Sequence, residues 1–266
     1  MMHPELLARL RSGGPRSVAV ATYAVAGMAW LALFLHDPIE GAVGHAHGGS
    51  MTAADPGVFE AVALAGGPLG VLHYLAMWGL MMVAMMYPSS AGAFQWYTEV
   101  RAHLRPAEML TGVAVFVGTY TLVWVAVGVV PLAVDAVVPI GSLAATWGAL
   151  YFGVAFLAVA AFQLSPVKRR YLGRCRSPSG FLVSHYRPGL PGAVRLGWDF
   201  ARQDVAACGV LMGLMVVVGS MNLGWMALIT AVLTVERLTA RGLVWARRFG
   251  ALSGVAGLGL VGLWLW

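Results

Sequence analysis

Asp204–Glu236 reads DVAACGVLMGLMVVVGSMNLGWMALITAVLTVE, an uncharged run closed by a carboxylate at each end. A single straight helix over it would be roughly 50 Å long at about 1.5 Å per residue, against a hydrocarbon layer of about 30 Å. That is long for one crossing and short for two crossings with a loop. The flanking charges resolve it. Arg195 and Arg202 precede the run, and Arg237, Arg241, Arg247 and Arg248 follow it. Positive charge collects on the cytoplasmic side of a bilayer, so both ends belong on one side. The stretch is therefore expected to be a transmembrane hairpin with short legs, turning at Gly219-Ser220.

The rest of the chain shares this character. Of 266 residues, 59% are hydrophobic and 11% charged, with mean hydropathy +0.77, the profile of a polytopic membrane protein. The net charge of +6 and pI near 9.7 do not indicate nucleic-acid binding. The basic residues sit in short loops between apolar runs, and no soluble domain presents a basic face. The two cysteines are Cys175, in an expected cytoplasmic loop, and Cys208, inside a span. Neither place favours a structural disulfide.

Arg9, Arg11 and Arg16 precede an apolar run at 17–35, read as a first span with a cytoplasmic N-terminus because it exceeds the usual apolar core of a signal peptide. Residues 36–69 contain no Lys or Arg but hold Asp37, Glu40, Asp55, Glu60, His36, His45 and His47, and are placed outside. The second span is expected at 70–94, with Pro88 ending or kinking it. The third covers about Met109 to Pro131 and the fourth about Leu143 to Leu164. A cytoplasmic loop runs from Ser165 to Gln203, the hairpin supplies spans five and six, and 249–266 forms the seventh. This arrangement puts all 17 Lys and Arg residues on one side. The expected fold is a single all-α domain: a polytopic bundle of about seven spans in a bacterial inner membrane.

Fourteen methionines are present, and nine fall in spans two, five and six: Met77, Met81, Met82, Met85, Met86, Met212, Met215, Met221 and Met226. His73, Met77, Met81 and Met85 recur every fourth residue, which draws one oblique stripe on a helix. Asp204, Cys208 and Met212 make a second such stripe. Thioether, thiol and imidazole together suit a soft metal, copper(I) above all. The competing reading is that methionine only fills irregular packing gaps. Glu236 is either part of an inner metal relay or simply paired with Arg202 or Arg237. His45 and His47 form an H-x-H pair able to capture an ion on its way in, although a glycine-rich loop also tolerates stray histidines. Lys168, Arg169 and Arg170 either touch anionic lipid headgroups or only set topology. No Walker, G-x-S-x-G, H-E-x-x-H or CxxC pattern occurs, so nucleotide hydrolysis, serine hydrolysis and zinc proteolysis have no support.

Three groups of residues carry a family resemblance. Met77-Trp78 followed by Ala84-Met85-Met86-Tyr87-Pro88 fits W-x-x-M-x-x-A-M-M-x-P. Gln163-Leu164-Ser165-Pro166-Val167-Lys168 runs into Cys175-Arg176-Ser177-Pro178. Cys208 to Met212 is followed by Gly219-Ser220-Met221-Asn222, Trp225-Met226 and Glu236-Arg237. Together these resemble a bacterial family of predicted metal-binding integral membrane proteins, a domain of unknown function. The match covers about Tyr74 to Gly254, within a core at 70–254. Family members carry further cysteines just ahead of the position of Cys208, where this chain has Val205-Ala206-Ala207. Their acid–lysine pair is Glu236-Arg237 here. The resemblance implies metal binding, with His, Met and one Cys as the donors.

The function expected is copper handling (binding, delivery or transport), with zinc the second choice of metal and no catalytic residues assigned. The candidate ligands are His73, Met77, Met81, Met85, Cys208, Met212, Met215, Met221, Met226 and Glu236. The expected partners are the bilayer and the metal ion, with a membrane or periplasmic protein partner left open. Two other readings stand beside it: a metal-dependent membrane oxidoreductase, and a non-catalytic scaffold or assembly subunit whose methionines only pack.

Overall fold

Prolines and glycines punctuate a chain that is otherwise free to be helical, and the helices follow them. The computed structural model describes residues 17–46, 54–175 and 178–266, and no strand occurs among these. The helices are α1 (Ser17–Ala46), α2 (Val58–Ala65), α3 (Gly67–Val100), α4 (Pro106–Val127), α5 (Val129–Val137), α6 (Ile140–Leu164), α7 (Pro166–Cys175), α8 (Pro178–His185), α9 (Gly189–Val218), α10 (Leu223–Leu238) and α11 (Gly242–Leu265). Arg105 and Ser165, each just before a proline, are extended with ψ of 143° and 155°. The proline ring forbids them the helical conformation, so α4 and α7 begin at Pro106 and Pro166.

Six helical segments are long and apolar enough to cross a membrane: Val18–His36, Gly67–Val100, Pro106–Val137, Ile140–Leu164, Gly189–Val218 and Gly242–Leu265. Within their most apolar windows, 61% of α9 and 50% of α3 is buried, against 11–22% for the other four. Thus α3 and α9 form the centre and the others wrap them. The outer helices show Leu31, Leu122, Leu252 and Leu258 to the exterior, a surface suited to hydrocarbon rather than water. α11 lies against α6, where Gly153 and Gly257 let the backbones meet: a Cβ on Gly257 would sit 2.9 Å from the Gly153 carbonyl oxygen. The small residues of α11 therefore serve a contact within the chain.

Four expectations about the elements are corrected. Pro88 does not end α3, which continues to Val100. A proline leaves the carbonyl four residues earlier without its helical donor. That carbonyl belongs to Ala84, and the Trp30 indole N–H of α1 donates to it at 3.1 Å. The neighbouring helix supplies the missing bond, so the helix survives. The stretch expected as one long loop at 165–203 is mostly helical, and α9 starts at Gly189, well before Asp204. The 36–69 loop is likewise helical in part, through the end of α1 and through α2. Finally, α10 has 16 residues, a rise of about 24 Å, and is not among the six long segments. The break itself falls where expected. α9 ends at Val218, Gly219 takes φ 110°, and the Asn222 side chain accepts from the Trp225 amide at 3.1 Å to start α10. A Cβ on Gly219 would overlap the Ala54 carbonyl, so the turn needs glycine for space as well as for its dihedral.

Candidate metal centre

Cys208 on α9 and Met86 on α3 meet at the middle of the bundle. Both are fully buried, and Cys208 Sγ lies 4.0 Å from Met86 Sδ. The thiol also points at the Asp204 carbonyl oxygen one turn back, at 2.9 Å. The Arg237 guanidinium of α10 lies 3.4 Å from Cys208 Sγ, is ion-paired with Asp204, and donates to Ser89 Oγ at 2.8 Å. The other Asp204 oxygen accepts from the Tyr120 hydroxyl of α4 at 2.5 Å, and Tyr120 is also bonded to Ser90 at 3.0 Å. Four helices thus converge on one thiol through a closed polar network. A charge pair this deep is tolerable because Tyr120, Ser89 and Cys208 add partners to it.

The candidate methionines share one apolar core with this pair, spread along the lengths of α3, α9 and α10 and the turn between the last two. Met77, Met81, Met85, Met212, Met215, Met221 and Met226 are all buried within the same apolar core, together with Met82 and Met86. His73 is not among them. It lies on the exposed side of α3, its ring centroid 5.8 Å from that of His36 on α1. The expected stripe therefore holds for three methionines and loses its histidine, because four-residue steps drift around the helix and the first one leaves the buried face.

Glu236 is fully buried, but its cation is neither Arg202 nor Arg237. It pairs with Lys168 of α7 at 2.6 Å and accepts from Gln163 at 2.5 Å. The Lys168 ammonium directs its well-aligned hydrogen bond to the Ala207 carbonyl at 2.9 Å, next to Cys208. Lys168 is 1% exposed, so it is not available to lipid headgroups; Arg169 and Arg170 beside it are exposed. Arg202 is exposed and faces Asp199 at 3.4 Å. Adjacent residues on α10 point about 100° apart around the helix axis, which is why Glu236 and Arg237 serve different clusters. The side chain of His45 and all of His47 lie outside the described residues, as does the side chain of Cys175.

A third polar cluster lies at the other end of α3 and α9. Glu60 of α2 is fully buried and accepts from the Tyr74 hydroxyl at 3.2 Å and from Ser220 Oγ at the α9–α10 turn. Its second carboxylate oxygen has no hydrogen-bond partner among the described residues. Burial pushes the Glu60 carboxyl above its ordinary value of 4.5, outweighing the bonds from Ser220 and Tyr74 that pull it down. A raised folded value makes the native state the tighter proton binder. Its contribution to stability is full below about pH 4.5 and is lost as pH rises through the folded value. Glu60→Gln is expected to remove this slope, so that the variant gains on the parent as pH rises from 5 to 8. Melting temperature against pH in detergent checks it; parallel curves for the two proteins would refute the assignment.

Met86, Arg237, Asp204, Tyr120 and Glu60 carry the geometry but were not on the list of ligands expected from sequence. A signal existed for Glu60, the lone carboxyl in the apolar octet VFEAVALA, since such a group costs too much to bury without a purpose. Met86 was signalled by the methionine clustering and by the A-M-M-x-P signature, but the four-residue stripe bypasses it.

The donors define what the centre can hold. Two sulfurs bonded to one ion at about 2.3 Å each, with an angle of about 120° between the bonds, stand about 4.0 Å apart. Cys208 and Met86 match that spacing without rearrangement. Thioether favours soft, monovalent copper over hard cations. Among the described residues no three His, Cys, Asp or Glu side chains converge as a metal would need, so the nitrogen- and oxygen-rich set expected of a zinc site or an oxygen-activating centre is not assembled there. Arg237 and Asp204 cancel each other's charge, and a cysteine thiolate would cancel that of copper(I). The filled centre would remain neutral, as a water-poor interior requires.

Comparison with known proteins agrees with the chemistry. The family model PpoB2, described as a copper chaperone, matches residues 75–260. No curated protein and no solved structure matches the chain. The matched region spans more than half of the chain and includes Met77 to Met86, Lys168, Cys208 and Arg237. The chain belongs to the PpoB2 family of copper chaperones.

Proposed function

We propose that this protein is an integral membrane copper chaperone that carries copper(I) in a buried thiolate–thioether centre between α3 and α9. The observation that carries the reading is the 4.0 Å separation of Cys208 Sγ and Met86 Sδ inside a methionine-rich core. Cys208 gives its proton up on binding and supplies the charged ligand, and Met86 the second sulfur. Met77, Met81, Met85, Met212, Met215, Met221 and Met226 line the way to and from it. A copper(I) ion passes between such thioethers by exchanging one neutral ligand for another, so no step strands an uncompensated charge. Arg237, Asp204 and Tyr120 hold the thiol in place. Glu236 acts with Lys168 as a clamp that fixes α7 to α9 at Ala207, rather than as a ligand. Six long apolar helices support insertion, and the arginines at or toward their ends, among them Arg101, Arg105, Arg195, Arg247 and Arg248, support a cytoplasmic side there.

The test is the metal content of the purified protein, reconstituted in lipid and loaded anaerobically with copper(I). One copper per chain that survives desalting supports the proposal. Less than about a tenth of an equivalent, or equal retention of zinc, would end it, because a thiolate–thioether set discriminates strongly between these ions.

A further inference from the structure

The copper centre leaves His36 and His73 unused. They lie 37 positions apart in sequence, on α1 and α3, yet their rings stand 5.8 Å apart between centroids and are tilted by 50°. His36 is half-buried and His73 exposed, so the pair opens to the exterior rather than to the sulfur-lined core. Two imidazoles bonded through nitrogen to one ion at about 2.0 Å each have centroids at most about 6.4 Å apart. The observed spacing leaves room for one ion held at a bent angle.

The electrostatics at this end also favour a cation. No Lys or Arg occurs between Arg16 and Arg101. The Asp135 carboxylate lies at the same end, beside Glu60, accepting from the Ile140 amide at 2.8 Å. His73 directly precedes Tyr74, whose hydroxyl bonds Glu60 on the buried side of α3. The two-histidine site is thus at the opposite end of the bundle from Arg101, Lys168 and Arg237, and a few residues along α3 from Met77.

We propose that His36 and His73 form a second metal site, a two-imidazole port that takes up copper(I) before it reaches the sulfur centre. The choice of copper rests on the chaperone reading; the existence of the site does not. Neutral imidazole nitrogens bind copper(I) well enough to capture it from solution, while thiolate and thioether hold it more tightly. Ligand strength therefore falls off outward and drives the ion inward.

The two sites can be separated by variants. In the Cys208→Ala/Met86→Leu protein the port alone remains; in His36→Ala/His73→Ala the centre alone remains. Each reconstituted protein is titrated anaerobically with copper(I) and then with silver(I), and X-ray absorption reads the donor atoms. The proposal expects the first variant to hold one ion with nitrogen neighbours. It expects the second to hold one ion with sulfur neighbours and to load at least about tenfold more slowly at limiting copper. Removing all four residues should abolish both. If the first variant binds neither ion, or binds one that persists without the histidines, the port is wrong while the centre stands. Loss of copper from the histidine variant alone would instead overturn the centre. Both histidines lie at the surface or half-buried, so their removal leaves the core packing intact.

Discussion

Cys208→Ala is expected to weaken copper(I) retention by at least about 100-fold, because it removes the sulfur of the pair that can carry a compensating charge. A thioether alone cannot neutralise the ion, and transfer of a bare cation into this interior is strongly unfavourable. Met86→Leu should lose less, about tenfold, since other methionines are within the same core to replace a neutral donor. Stability should hardly change in the second case: leucine replaces methionine in a packed interior for less than about 1.5 kcal/mol. The pair of variants also decides against the scaffold reading. Were the methionines only packing, Met86→Leu and the exposed-site control Met28→Leu would bind copper equally well. Competition with a copper(I) chelator supplies the measurement, and unchanged affinity in Cys208→Ala would remove the centre altogether.

The second large effect belongs to Arg237. Arg237→Met leaves Asp204 as a buried carboxylate with only the Tyr120 hydroxyl and its own helix for company. Breaking a buried pair by removing one partner costs about 3–5 kcal/mol, far more than the pair itself contributes. Asp204→Asn in the same background should recover much of that loss, because the double variant contains no orphaned charge. Arg237→Lys should restore less. A single ammonium cannot reach Asp204, Ser89 and Cys208 at once as the guanidinium fork does. Copper affinity should drop with Arg237→Met by about 10- to 100-fold, the usual range for a group that orients a ligand. Thermal unfolding in detergent gives the first quantity and chelator competition the second. An Arg237→Met protein as stable as the parent would show that Asp204 is not held by this pair.

Much of the architecture was legible residue by residue. The apolar runs indicated the long helices, but α9 and α11 begin ahead of the arginines expected to precede them, Arg195 and Arg202 in the one and Arg247 and Arg248 in the other. Gly219-Ser220 gave the break before α10. The sulfur-rich helices stood out by composition, since fourteen methionines in 266 residues are too many and too clustered to overlook. Periodicity did not resolve which side chains share a face. It included His73, whose position on α3 carries it to the outer side, and passed over Met86, one residue off the stripe and in contact with Cys208. Pro88 was read through its own backbone, which calls for an end or a kink, and the helix does not end there. The indole of Trp30, 58 positions earlier, supplies the donor that keeps α3 whole.

Charge pairing was the least legible feature. Glu236 and Arg237 are neighbours in sequence, and proximity suggested that they or Arg202 would pair. In the bundle they diverge, Glu236 to Lys168 across 68 positions and Arg237 to Asp204 across 33. Amino-acid order alone determined that this chain is a helical bundle with long apolar segments rich in methionine, because hydropathy and helix propensity are local sums. Which sulfur faces which, which carboxylate takes which cation, and that two distant histidines meet at the surface were decided only by tertiary packing. Those contacts depend on how each helix is rotated about its axis, and that rotation is set by the neighbours it packs against.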